Sequence, residues 1–380
     1  MANTMAQWAQ KFGTWVDELP PRLITALFLL PFAFAALHQL LWPKPWFTDF
    51  YAAACAGNAL VHQMPIYPPK PACPAFGTAF VYTPVVAQIS AWFQHLLDFR
   101  GETALYAVVY VSALLGVLAL LFRAPGLRAR APFLAGWTVS GVRPGNLSVL
   151  LHAGILFTAW RFAARPLLLL LPIALACVLK PTFAVYAALF LFTTGPWWHR
   201  LACAAAALLP AACYFIYFRA SDPNLFTAFT VVTRLWGFRL AHGHGFLNLI
   251  AFAGLTNFYA IYSLYAVYAA ALLLCGLKLA QTTACPTQRL ILGIAICILL
   301  YPRLMPYEQL TLPLGMGLLA QNTSKTTQHL TLLLGLATIA TGGNTGGQIL
   351  YLGSVALLIG RVVVEIKGKR PGLRPGPAGA

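Results

Sequence analysis

The stretch Trp46-Phe47-Thr48-Asp49-Phe50-Tyr51 sets one carboxylate among four aromatic side chains, in a chain of 380 residues that holds only 8 acids. Low-dielectric neighbours disfavour the charged form of an acid, which turns it into a proton acceptor of useful strength. An ionisable residue in or beside a bilayer is costly to keep, and is a functional candidate on that ground. A second reading stays open: Thr48 or Asp49 could simply cap a helix that begins at Phe50.

Three cations stand beside prolines at the ends of apolar runs, as Arg143-Pro144, Lys180-Pro181 and Pro302-Arg303. Such groups can hold the oxygens of a phosphate, or can snorkel to the membrane interface with no further role. Gly145-Asn146 precedes a helical run and could add backbone N–H groups for an anion, or could be a tight turn with a helix cap. Glu308 could orient Arg303 or Tyr307, help to position a substrate hydroxyl, or pair with a cation inside the bundle; simple pairing ranks first. Asp98, Glu102 and Asp222 read as solvated or capping residues. His242 and His244 form a His-x-His pair in a loop rich in glycine and arginine, but no third ligand stands nearby to complete a metal site. The flanking glycines suit a loop that closes over a substrate, and surface histidines are the simpler alternative.

The elements that must position these groups are membrane helices. The chain is 60% hydrophobic and 9% charged, with mean hydropathy +0.74, and its apolar runs are continuous, which excludes the alternating strands of a β-barrel. The net charge of +17 is dispersed between apolar runs and forms no basic patch, so it does not point to nucleic acid. The reading is an all-α, polytopic helical membrane protein of about 12 transmembrane helices, some short or broken. Spans are expected near 22–42, 102–123, 131–143, 147–163, 166–179, 182–195, 199–218, 257–279, 287–302, 305–320, 327–341 and 346–364. The segment 80–97 is read as a membrane-surface helix, because Arg123, Arg128, Arg130, Arg200, Arg289 and Lys325 then share one face. The positive-inside rule makes that face cytoplasmic, with both termini on it. Asp49, Arg143, Lys180, Arg303 and Glu308 fall on the opposite, extracytoplasmic face. Residues 1–366 make one domain, with an extracytoplasmic loop at 43–101 that carries surface helices, a second at 219–256, and a disordered basic tail at 367–380. Apolar residues at helical spacing from Met5 to Leu19 suit a short surface helix or a frayed end. Cys55 and Cys73 lie in the first loop and could form a disulfide there, worth about 3 kcal/mol.

Several of these stretches resemble glycosyltransferase family 87, the C-type membrane glycosyltransferases that use polyprenyl-phosphate sugars. The likeness is carried by Phe47-Thr-Asp-Phe-Tyr-Ala-Ala-Ala54, Pro65-Ile-Tyr-Pro68, Phe80-Val-Tyr-Thr-Pro84, Gly145-Asn-Leu-Ser-Val-Leu-Leu151, Leu179-Lys-Pro-Thr182 and Tyr301-Pro-Arg-Leu-Met-Pro-Tyr-Glu308, in the family's order. The resemblance implies a C-type glycosyltransferase architecture with Asp49 as general base of an inverting transfer, and a hexose, mannose as first guess, as the sugar. Arg143, Asn146, Lys180 and Arg303 would hold the donor phosphate. Tyr82, His242, His244, Tyr307 and Glu308 would support the site or the acceptor. The implied partners are a polyprenyl-phosphate sugar donor, a lipid or glycan acceptor and membrane lipids; no cofactor and no metal is expected. The expected setting is a bacterial inner membrane. The chain departs from the family's common Tyr-Pro-Pro at Tyr82-Thr83-Pro84, and has Tyr307-Glu308 where many members carry paired histidines or another acid. A transporter or flippase for an anionic lipid or solute is the rival class, although the paired halves that such a protein commonly carries are not visible.

Overall fold

The structure, a computed structural model, describes residues 17–41, 45–68, 79–235, 243–255 and 257–368. The regular secondary structure of these residues is all helical, with no strand among them. The principal helices are α1 (Pro21–Leu41), α2 (Thr48–Val61), α3 (Pro84–Arg123), α4 (Leu147–Arg161), α5 (Leu170–Leu179), α6 (Trp197–Ser221), α7 (Phe258–Thr282), α8 (Pro286–Leu299), α9 (Leu312–Gln321), α10 (Lys325–Thr341) and α11 (Gly343–Gly368). Five of them, α1, α3, α6, α7 and α11, are long and apolar enough to cross a bilayer, and shorter apolar helices accompany them.

The core is formed by the shorter pieces. Ile155 of α4, Phe183, Ile296 of α8 and Leu312 of α9 have no exposed surface. The long helices stand outside, and there Val108, Ile216 and Val267 are 65%, 71% and 69% exposed. Apolar surface on this scale has no stable place in water, and marks a helical protein solvated by lipid.

Two expected spans take another form. Residues 131–143 make a 3-10 turn (Ala131–Gly136) and a single helical turn (Val139–Val142), divided where Trp137 and Thr138 take extended backbone geometry. Pro181–Phe192 is wound as a 12-residue 3-10 helix. At about 2.0 Å per residue it reaches about 24 Å, where an α-helix would reach about 18 Å. A short apolar segment thus approaches the ~30 Å of a hydrocarbon core.

α3 has 40 residues, and as a straight rod would measure about 60 Å, twice that core. Its backbone breaks at Asp98, with φ 58° and ψ −180°, a conformation costly for any residue but glycine. The Asp98 carboxylate accepts from the Gly101 amide at 2.7 Å and so caps the second arm. The break separates an arm at 84–97 from the long helix that follows. The first arm turns Val86, Ala87, Ser90 and Ala91 inward and leaves Trp92 and Leu96 exposed. Its partner is α2, whose run Ala52-Ala-Ala-Cys-Ala-Gly57 is buried.

Gln94 staples the elbow. Its side-chain amide donates to Ala54 O at 2.7 Å and to Glu102 Oε2 at 2.8 Å. Glu102 is buried, and so is neither the solvated nor the capping residue that its polar surroundings in sequence suggested; Asp222 does cap, through the Leu225 amide. Cys55 is disulfide-bonded, while Cys73 lies outside the described residues, as do 1–16 and the tail beyond Gly368.

Candidate active site

Asp49 is placed by backbone, not by capping. Helix α2 begins at Thr48, and Phe47 at its N-cap is left-handed (φ 61°, ψ 30°), with no side-chain cap bond. The cap reading of Thr48 and Asp49 is thereby set aside. The amides of Phe47 and Asp49 instead donate to Arg143 O at 2.7 Å and Pro144 O at 2.8 Å. Two residues further on, the Asn146 side chain donates to Asp49 Oδ2 at 2.7 Å. Asn146 is itself fixed, because its Oδ1 accepts the Ser148 amide at 2.9 Å as the cap of α4.

The second arm of α3 clamps this corner. The hydroxyls of Tyr106 and Tyr110 donate to Gly145 O at 2.8 Å and Val142 O at 2.9 Å. Phe50 stacks on Tyr106 with centroids 3.9 Å apart. Gly145 is left-handed (φ 63°), and a Cβ there would lie 2.3 Å from Cδ1 of Phe47. The corner therefore needs a residue with no side chain.

The cations divide. Lys180 donates to the buried Ser148 hydroxyl, lies 3.4 Å from Glu308 Oε1, and sits 5.2 Å from the centre of the Tyr307 ring. Glu308 also accepts the Met305 amide at 2.7 Å. Arg303 is half-buried, its Nε has no hydrogen-bond partner among the described residues, and its charge reaches Asp49. Arg143 contributes its carbonyl to the corner, while its guanidinium turns to Gln39 Oε1 on α1 at 3.2 Å. Lys180 and Arg303, but not the Arg143 side chain, are thus the cations that act on Asp49.

Burial pushes the Asp49 carboxyl above the usual carboxylate range, and it outweighs the opposing hydrogen bond from Asn146 and the charges of Lys180 and Arg303. Asp49 nonetheless keeps accessible surface, because it lines a cavity of about 270 Å³ between α2, the two arms of α3, Leu147 at the start of α4 and Leu179 at the end of α5. Tyr82 stands in the same cavity, with its hydroxyl buried and no hydrogen bond of ordinary geometry among the described residues. Its carbonyl accepts from Tyr67 at 2.6 Å, and the next residue, Thr83, donates through its amide to Leu179 O at 3.3 Å.

His244 lies apart from this cluster. It is buried against Gln309 and Asn344, at 3.1 Å and 3.3 Å, and lines a second cavity with α1 and the α10–α11 corner. His242 lies outside the described residues. Among the described residues, no three His, Cys, Asp or Glu side chains converge as a metal set. Ser148 and Tyr106 were not singled out in the sequence. Ser148 stood inside the Gly145–Leu151 stretch, two positions after Asn146, whereas nothing near Tyr106 in sequence points to the corner it holds. No family model, curated protein or solved structure matches this chain.

Proposed function

We propose that the chain is an inverting glycosyltransferase that moves a hexose from a polyprenyl-phosphate sugar to a hydroxyl at the extracytoplasmic face, in the manner of glycosyltransferase family 87. The supporting observation is the Asp49 carboxylate at a cavity wall, held by Asn146 and within reach of the charges of Lys180 and Arg303. In the proposed step the acceptor oxygen attacks the anomeric carbon from the face opposite the phosphate. Its proton passes to Asp49, and the electron pair of the breaking C–O bond leaves with the polyprenyl phosphate. That leaving group is already a stable anion, so one carboxylate suffices. Negative charge that gathers on the phosphate is met by Arg303, whose Nε has a free donor, and by Lys180, steadied between Ser148 and Glu308.

The test uses purified protein, a radiolabelled polyprenyl-phosphate sugar and a membrane lipid extract. Wild type should form a labelled product, and Asp49→Asn should lower its rate by about 10²–10⁴-fold, the usual worth of a positioned base. Equal rates from the two proteins would remove Asp49 from the role.

A further inference from the structure

We infer that the cavity at Asp49 is the berth of the acceptor's hydrocarbon chain, so that the alcohol this protein uses is a membrane lipid and not a soluble glycan. The inference rests on the reading of Asp49 as the base. It stands on the shape and chemistry of the cavity. At its inner end are the Asp49 carboxylate and Tyr82; from there it runs between α2 and the two arms of α3, over Val86 and past Tyr106. At its mouth stand Ile89, Leu105 and Val109, each at least 40% exposed on the surface that faces lipid. The other carboxylate in the wall, Glu102, is buried and taken by Gln94, so Asp49 is left as the acid of an apolar passage whose exposed rim is Ile89, Leu105 and Val109.

A sugar polymer offers nothing to such a passage. Its hydroxyls would lose water and find few partners along the walls, and each one left unsatisfied weakens binding. A hydrocarbon chain gains with every methylene it withdraws from water. From a bilayer it loses almost nothing by entering, so the passage acts by guiding the head group to Asp49. The donor chain is the other hydrocarbon available. It is tied to the phosphate, and none of Arg143, Lys180 and Arg303 lines this passage. In an inverting displacement, nucleophile and leaving group also stand on opposite sides of the anomeric carbon. A chain that ends at the base therefore belongs to the nucleophile.

The experiment places the protein in nanodiscs with a hexadecan-1-ol bearing a chain-terminal diazirine, and maps the photolabel by peptide mass spectrometry. Label should concentrate on peptides containing 86–93 and 105–109. It should fall at least fivefold in Val86→Trp and in Ile89→Trp, the second at an exposed position that tolerates the ring, and stay unchanged in Leu115→Trp on the outer face of α3. The two passage variants should also lower transfer to lipid extract at least tenfold, with binding of a short-chain polyprenyl-phosphate sugar within twofold of wild type. Label spread evenly over the outer surface, displacement of the label by polyprenyl phosphate, or unchanged transfer in both passage variants would overturn the inference. Labelling as expected together with full activity of Asp49→Asn would instead refute the base and leave a lipid site, so the two failures are distinguishable.

Discussion

A carboxylate that acts as a base must be ionised before it can accept a proton, so its raised proton affinity sets the acid side of the rate profile. Activity should fall as pH drops through the Asp49 pKa, which burial lifts above the ordinary carboxylate range. Asn146 works against that lift by donating at 2.7 Å to the charged form. Asn146→Leu removes a hydrogen bond to an ion, worth about 1.5–3 kcal/mol, and should move the acid limb upward by about one to two pH units. Rate profiles of the two proteins decide this; a limb that stays in place or moves down would detach Asn146 from the ionisation. The partner pair Lys180 and Glu308 calls for a different measurement, because both side chains are nearly inaccessible, at 11% and 2% exposure. Glu308→Ala strips a buried cation of its counter-charge and leaves the Met305 amide without an acceptor. It should destabilise the protein by about 3–5 kcal/mol in thermal or denaturant unfolding. Glu308→Gln keeps an acceptor for that amide and should lose less, while Lys180→Met combined with Glu308→Leu should recover much of the loss.

At the scale of elements, the site is a corner gripped by a hairpin. α2 carries Asp49, the first arm of α3 packs on α2, and the second arm holds the 142–145 corner through Tyr106 and Tyr110. The grip depends on close approach: a Cβ on Gly57 would lie 2.4 Å from Ser90 Oγ and 2.8 Å from the Ala91 backbone nitrogen. Gly57→Val should push the two helices apart and lower activity more than stability, since the core of α4, α8 and α9 lies elsewhere; the check is activity against melting temperature in one detergent. Gly145→Ala should lose both, because its left-handed backbone alone costs about 1–3 kcal/mol with a side chain present, and its Cβ meets Phe47. The hairpin shows how far the sequence can be read. Asp49 is visible as a rare acid among rings, the separate first arm of α3 as an inconvenience of charge pattern, and Lys180 with Glu308 as charges that need partners. The elbow at Asp98 was not visible, because a break in φ leaves no mark on hydropathy. Nor was the 3-10 winding of Pro181–Phe192, whose apolar run would read the same in an α-helix. The roles of Asn146 and Ser148 depended on contacts with residues 97 and 32 positions away, which spacing along one element cannot supply. The expected dozen crossings counted apolar runs, and the chain folds several of them into short or broken pieces in the core.

Across the whole molecule, α1 separates two differently charged ends. Asp17, just before α1, meets Arg128 at 3.2 Å and Lys325 at 3.0 Å, whereas Asp49 follows α1 by a few residues. Twenty-one residues of helix rise about 32 Å, the thickness of a hydrocarbon core, which is long enough to set these clusters on opposite faces of a bilayer. The ion pairs at Asp17 are solvent-exposed and contribute little stability. Under the proposed function their value would lie in topology, since the positive-inside rule would put Arg128 and Lys325 in the cytoplasm. A protein that takes its sugar from a lipid carrier at the outer face must then present Asp49 outward. Single cysteines at His62, at the far end of α2, and at Ser324, in the turn before Lys325, test this directly once the exposed Cys213 and Cys285 are replaced by serine. In intact cells an impermeant maleimide should label His62→Cys within minutes and Ser324→Cys only after the membrane is opened. The reverse order would place the carboxylate in the cytoplasm, where soluble nucleotide sugars are the available donors, and the lipid-carrier reading would fail even with every contact around Asp49 intact. Labelling of both positions from one side would instead mean that α1 does not cross, and the charge pattern would have lost its meaning as a guide to the fold.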